Sequence, residues 1–189
     1  MDSGVRTERE IMLAGELYNP GDPELVELRR RARALTREIN ATTEEQTEPR
    51  ADLFRQLFGT LPGPFEIEPP FRCDYGMNIH AGSGLYINFG CIILDVCEVH
   101  IGAGVMMAPN VQLVTATHPI DPVLRLSGRE LGKPIRIGNR VWLGAGVIVL
   151  PGVTIGDDTT IGAGSVVTRD IPPRVVAVGN PCRVLRSLD

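Results

Sequence analysis

Late in the chain, six aliphatic residues recur at intervals of six: Ile137, Leu143, Val149, Ile155, Ile161 and Val167. Glycine follows four of them (Gly138, Gly144, Gly156, Gly162), and a small or branched residue lies two places ahead of each: Ile135, Val141, Val147, Val153, Thr159 and Ser165. An amphipathic helix repeats at about 3.6 residues and a half-buried strand at about 2, so neither carries this spacing. A parallel β-helix of hexapeptides does. Each short strand sends one aliphatic side chain inward, a tight turn follows, and three hexapeptides close a coil of about 18 residues. The spacing places Ile137 under Ile155 and Leu143 under Ile161.

The beat is present earlier, less cleanly. Ile101, Met107 and Leu113 are six apart, preceded by Val99, Val105 and Val111, and Ala81, Ile87 and Ile93 keep the period. From Ile93 to Ile101 the step is eight, so two residues are inserted around Asp95 to Cys97. Between Leu113 and Ile137 the text T-A-T-H-P-I-D-P-V-L-R-L-S-G-R-E-L-G-K-P sets prolines, glycines and charges where aliphatics should be. A loop over 114–136 is therefore thrown out of the coil, and loops on rigid scaffolds are where function concentrates.

Ahead of the coil, residues 7–60 read as helical. Pro23 suits a first helical turn, with Asp22 as its N-cap. Leu25, Leu28, Ala32, Leu35 and Ile39 form one apolar stripe with an arginine-rich face opposite. A second run, Leu53, Phe54, Leu57 and Phe58, ends at Gly59. The segment L-P-G-P-F-E-I-E-P-P-F reads as a lead-in strand. The chain thus divides into an N-terminal helical cap (1–60) and a β-helix domain (61–189) with its loop and a C-terminal tail. The cap would cover the open end of the coil, as repeat stacks require.

Aromatic residues make up only 5% of the chain while glycine numbers 21, a composition suited to thin coils closed by turns. No apolar signal region opens the sequence and no run is apolar enough to span a bilayer, which points to a cytoplasmic protein without membrane contact. Cys73, Cys91, Cys97 and Cys182 show no C-x-x-C pairing and read as free packing thiols, with Cys73 and Cys91 spaced to stack. A net charge of −4 gives no support for nucleic-acid binding. Residues 131–189 nevertheless hold seven basic and four acidic side chains, a balance that suits a small polyphosphate ligand.

Several blocks together resemble the maltose/galactoside O-acetyltransferases of the hexapeptide-repeat superfamily. They are A-G-E-L-Y (14–18), F-R-C-D-Y-G-x-N-I (71–79), N-F (88–89), L-D-V-C (94–97), T-A-T-H-P-I-D-P (115–122), G-K-P-I-x-I-G-N-x-V-W (132–142) and P-G-V-T-I-G-D (151–157). The resemblance runs from about residue 10 to 187. It implies an all-β-dominated, left-handed β-helix, a homotrimer with active sites between subunits, acetyl-CoA as donor and a sugar hydroxyl as acceptor. The left hand comes from the resemblance alone, since parallel crossovers ordinarily favour the right.

Acetyl transfer from a thioester to an alcohol needs a base for the hydroxyl proton and donors for the developing oxyanion. His118 begins the extruded loop beside Pro119, and an imidazole with an ordinary pKa of about 6.5 is poised for the task. It also aligns with the family's catalytic histidine. His80 and His100 fall on outward positions of the repeat and read as solvated or interface groups.

For the acceptor, the resemblance points to Asp74, Asn88 and Asp95, the last at the two-residue insertion. Near Tyr18, where the family offers another polar sugar contact, this chain has Pro20, with Asn19 or Asp22 as substitutes. For coenzyme A, the resemblance falls on Ala145, Ala163, Thr168, Arg169, Arg183 and Arg186. The small residues would let a pantetheine arm lie along the coil, and the arginines suit phosphates. Lys133 and Arg140 are further basic candidates, and Trp142, on an outward position, could wall the groove.

The expected reaction is direct attack of the hydroxyl on acetyl-CoA without an acyl-enzyme and without a metal. One alternative keeps the donor but changes the acceptor to serine, an amino sugar or an antibiotic. Another is a metal enzyme like the γ-class carbonic anhydrases, with His100 and His118 one coil apart and His80 a further coil away. Against it, that family sets two ligand histidines five apart, and nothing like that follows His118.

Overall fold

The computed structural model describes residues 6–189. Residues 1–5, on which the reading of a leaderless terminus and the start of the cap partly rest, lie outside the described part. Strands of two to five residues build three parallel faces of a solenoid. The first face runs from Phe65–Ile67 through Leu85–Ile87, Met106–Met107, Trp142–Leu143 and Thr160–Ile161 to Val175–Val178, and Arg183–Ser187 folds back antiparallel to close it. The second stacks Ile79–Ala81, Val99–Ile101, Ile135–Ile137 and Thr154–Ile155. The third stacks Arg72–Cys73, Ile92–Leu94, Gln112–Val114, Ile148–Val149 and Val166–Val167.

The six-residue beat becomes the register of these faces. Ile137 pairs with Ile155, Leu143 with Ile161 and Val149 with Val167. All six side chains are buried, and each such burial contributes about 1.5–3 kcal/mol relative to exposure. The glycine that follows four of these inward residues is demanded by the stacking of coils. A Cβ on Gly102 would lie 2.6 Å from the carbonyl carbon of Gly138 in the next coil.

The two irregularities also appear in the register. Cys73 pairs with Ile93, so the expected stack of Cys73 on Cys91 does not form; from Cys73 to Ala81 the step is eight, and these two extra residues at the turn before Ile79 lengthen that coil. The insertion near Asp95 lengthens the next coil and sets His80 opposite His100, their rings stacked at 5.3 Å. His100's other neighbour in the ladder is Arg136, because His118 has left the coil; the imagined column of His100 and His118 is absent. Leu113 resumes its ladder at Val149, with the loop between them.

The cap consists of α1 (Glu8–Leu13), α2 (Pro23–Asn40) and α3 (Thr47–Leu57). Asp22 caps α2 by accepting from the Glu24 N–H, with Pro23 in the first turn. The second helical run stops at Leu57, short of Gly59, as Phe58 turns to extended backbone. Ala32, Ile39, Phe54 and Leu57 join the same core as the first coils, so the helices seal that end of the stack. Met12, Tyr18, Leu25, Tyr75 and Val96 form a smaller cluster that fixes the N-terminal segment against the coil. No helix among the described residues is long and apolar enough to cross a membrane.

Candidate active site

The extruded loop leaves the third face after Val114 and returns at Ile135. Its root is an antiparallel rung, Ala116–Thr117 against Leu131–Gly132, and Lys133 N–H donates to the Thr115 carbonyl at 2.9 Å. A short helix, Pro122–Arg125, capped by Asp121, shapes its tip. Thr117 pairs with Leu131, so His118 and Glu130 both stand where the hairpin opens. His118 is exposed.

Glu130 belongs to a pocket of about 220 Å³ whose walls include Tyr18, Pro20, Arg29, Asp74 and Tyr75. Three separate segments converge there. The N-terminal segment arrives through a backbone bridge between Tyr18 and Glu130, and the Tyr18 hydroxyl donates to Glu130 Oε2 at 2.8 Å. Helix α2 contributes Arg29, whose guanidinium donates to the Tyr75 hydroxyl at 2.7 Å and to the Pro20 carbonyl at 2.6 Å. The first coil contributes Asp74 and Tyr75 through the turn before Ile79.

The charges in this pocket are uneven. Burial pushes the Asp74 carboxyl above the usual carboxylate range, while Arg29 pulls it back and Glu130 reinforces the rise. Burial, aided by the hydrogen bond to Glu130, also drives the Tyr18 phenol far above its ordinary value. A concave, polar site with carboxylates, phenols and a guanidinium offers both donors and acceptors to a ligand bearing several hydroxyls.

Of the expected acceptor residues, only Asp74 lines this pocket. Asp95 does not: it is fully buried, its carboxylate engaged by backbone N–H groups, and its neighbour Val96 faces the pocket instead. Asn88 lies at a different corner of the coil, following Leu85–Ile87, where its side chain accepts from the Phe89 N–H. Tyr18, Arg29 and Glu130, with Arg33, Tyr75 and Val96, are pocket residues to which the sequence assigns no role. A signal existed for Arg29, which stands four residues from Arg33 on the polar face of α2.

Ala145 and Ala163 are both exposed and follow stacked strands of the first face, with the Gly164 N–H donating to the Ala145 carbonyl at 2.8 Å. Arg183 and Arg186 lie on the closing strand Arg183–Ser187, in register with Val178 and Val176. Thr168 and Arg169 follow Val166–Val167, and all four side chains are exposed. These residues lie on the C-terminal half of the solenoid, away from the cap. Lys133 and Arg140 are exposed as well, but the Arg140 guanidinium is taken by Asp158 at 2.6 Å. A larger, shallow groove of about 490 Å³ crosses the second face past His80, His100 and Arg136. It contains none of the expected site residues, and among the described residues no cluster of three or more metal-capable side chains occurs.

Comparison with known proteins gives concordant results. The family description "Maltose acetyltransferase hexapeptide capping motif" matches residues 11–63, and "Bacterial transferase hexapeptide (six repeats)" matches residues 134–169. A galactoside O-acetyltransferase of Escherichia coli is 45% identical over 95% of this chain and 92% of its own length. The crystal structure of a maltose O-acetyltransferase from Clostridium difficile superposes with a TM-score of 0.97 at 53% identity, covering 98% of this chain and all of that one. A hexapeptide-repeat acetyltransferase of Vibrio cholerae, solved with acetyl coenzyme A, gives 0.91 at 38% identity over 97% of this chain and 100% of that one. The solenoid is accordingly a left-handed β-helix of hexapeptide repeats.

Proposed function

Because the chain belongs to the maltose and galactoside O-acetyltransferase family of hexapeptide-repeat proteins, we propose that it moves an acetyl group from acetyl-CoA to a sugar hydroxyl, with His118 as general base. The observation that carries this reading is the antiparallel rung of the loop. The exposed imidazole of His118 stands at the same hairpin end as Glu130, itself one wall of a pocket rich in hydrogen-bonding groups.

The sugar's hydroxyls would be held by Asp74, Glu130 and Arg29, groups that are already partly desolvated and so lose little water on binding. The His118 imidazole takes the proton of the reacting hydroxyl as its oxygen attacks the thioester carbonyl. The tetrahedral intermediate then collapses, the carbon–sulfur bond breaks, and the proton leaves with the coenzyme A thiolate. A positioned base of this kind contributes about 10²–10⁴-fold in rate. Thr168, Arg169, Arg183 and Arg186 would receive the coenzyme's polar groups, with its pantetheine arm along the open corner at Ala145 and Ala163.

The site is completed by a neighbouring copy in a homotrimer. Asn88 stands at a corner remote from the loop root, and Phe89, Met106 and Trp142 expose apolar surface nearby on that side of the coil, about half of each ring or side chain being open to solvent. A second copy packed on that surface would bring Asn88 to its own His118. The four free cysteines suit a reducing cytoplasm.

The test is release of free thiol from acetyl-CoA with maltose, glucose, a galactoside, glucosamine, serine and chloramphenicol as acceptors. Sugar-dependent release that falls at least a hundredfold in His118→Ala would support both reaction and base. Release with serine or chloramphenicol in preference to every sugar would move the acceptor to another class. Turnover unchanged in the variant would remove His118 from the mechanism.

A further inference from the structure

Among the described residues, the two-residue expansion between Ile93 and Ile101 is the one place where a fully buried carboxylate enters the coil. Asp95 has no exposed surface. Its Oδ1 accepts from the backbone N–H groups of Asp74 at 3.0 Å and Tyr75 at 2.9 Å, and its Oδ2 accepts from that of Asn78 at 3.3 Å. The Asn78 side chain returns a bond, its Nδ2 donating to the Asp95 carbonyl at 2.7 Å. A single side chain thereby holds the whole turn of residues 74–78, which presents Asp74 and Tyr75 to the pocket.

The same expansion grips the loop root from its other side. Thr115, also without exposed surface, donates its hydroxyl to the Leu94 carbonyl at 2.6 Å and accepts from the Cys97 N–H at 2.9 Å. Thr115 stands three residues before His118, and its carbonyl takes the Lys133 N–H where the loop returns. The acceptor-facing turn and the loop bearing the imidazole are therefore fixed to one short stretch of backbone, Leu94 to Cys97. A regular hexapeptide has no length to spare for such a crossing.

We propose that residues 94–97 form a positioning joint for the reaction: Asp95 sets the acceptor wall, and Thr115, held by Leu94 and Cys97, sets the loop that carries His118. Asp95 is a positioning residue and does not touch the sugar. The proposal rests on the reading of the pocket as the acceptor site.

Two variants separate the two halves. Asp95→Asn keeps the shape but turns an NH₂ group toward backbone N–H donors, so the turn loosens. The sugar KM should rise about tenfold, the equivalent of one lost hydrogen bond, while the acetyl-CoA KM stays within about twofold. Asp74→Ala should raise the sugar KM similarly, and the double variant should be no worse than the poorer single one, because both act through the same groups. Thr115→Val should instead lower kcat by about tenfold with the sugar KM little moved.

A readout independent of activity is amide hydrogen exchange. In Asp95→Asn the amides of Asp74, Tyr75 and Asn78 should exchange at least about tenfold faster than in the natural chain. If Asp95→Asn does not fold, Asn78→Ala loosens the same turn from the opposite side and should raise the sugar KM by about threefold. An unchanged sugar KM in the folded variants, or unchanged exchange at these amides, overturns the proposal. Faster exchange with no sugar-dependent turnover in the natural chain would instead sustain the joint and sink the acceptor reading.

Discussion

Tyr18 and Glu130, 112 residues apart, are joined by backbone hydrogen bonds in both directions and by a side-chain bond of 2.8 Å. Through them the N-terminal segment closes over the end of the extruded loop. Tyr18→Phe removes only the hydroxyl. A bond to a charged acceptor is worth about 1.5–3 kcal/mol, and partial exposure of Glu130 favours the lower figure. The variant should melt about 3–6 °C lower, with the fold retained. An unchanged Tm in a thermal scan would mean that water replaces the phenol without loss.

Asp95 gives the protein a distinctive response to pH. Burial raises its carboxyl to about 7, whereas the unfolded chain titrates near 3.9. The folded state holds the proton more tightly, so the group's stabilising contribution is complete below about pH 4 and is lost as pH rises through about 7. Asn at this position cannot titrate. The stability of the natural chain relative to Asp95→Asn should therefore decline from pH 4 to pH 7 and level off above, measured as the difference between their denaturant midpoints. A difference that does not vary with pH would show that Asp95 titrates alike in both states.

Two glycines that look equivalent in the repeat should respond very differently to alanine. At Gly102 a Cβ would meet the Gly138 carbonyl carbon at 2.6 Å and the Asn139 nitrogen at 2.7 Å, so adjacent coils must separate. Gly146 has φ of +67° and no atom within 4 Å of a new Cβ. Gly102→Ala should cost about 3 kcal/mol through overpacking, and Gly146→Ala about 1–2 kcal/mol through the left-handed backbone alone. Urea melts of the two variants rank them.

The cysteines should be quiet in the folded protein. Burial pushes the thiols of Cys91 and Cys97 up to about 11, and Cys73 and Cys182 are raised for the same reason. At pH 8 about one molecule in a thousand then carries a thiolate at Cys91 or Cys97, too few for rapid reaction. A disulfide reagent should label the native chain slowly and label all four thiols at once in guanidinium. Fast labelling of one native thiol would reveal local opening at that site.

The coil was legible because each inward aliphatic depends only on its place in the six-residue count. Ile137, Leu143 and Val149 fall in register with residues 18 positions on, whatever surrounds them. Where the count breaks, inference from order alone loses the facing of each side chain. Asp95 turned inward and Val96 outward to the pocket, and no periodicity distinguishes them there. Half of the histidine column forms, because the two added residues set His80 opposite His100; the other half does not, because the loop carries His118 out of the ladder. Tyr18, Arg29 and Glu130 come from three distant segments, and only their folded meeting marks them as a site. Asp74 is named by a block resembling the family, and it lines the pocket.

The loop leaves and re-enters the stack at adjacent points, with Thr115 and Lys133 already hydrogen-bonded across its neck at 2.9 Å. The ladders on either side pair residues outside the insert, Ile135–Ile137 with Val99–Ile101 and Leu113 with Val149. Doubling the length of such an insert raises its closure cost by only about 0.6 kcal/mol. The neck is therefore a natural junction for exchange: loops of other lengths and compositions could be spliced in while the ladder continues unbroken, and acceptor preference could diverge among descendants without any renegotiation of the scaffold.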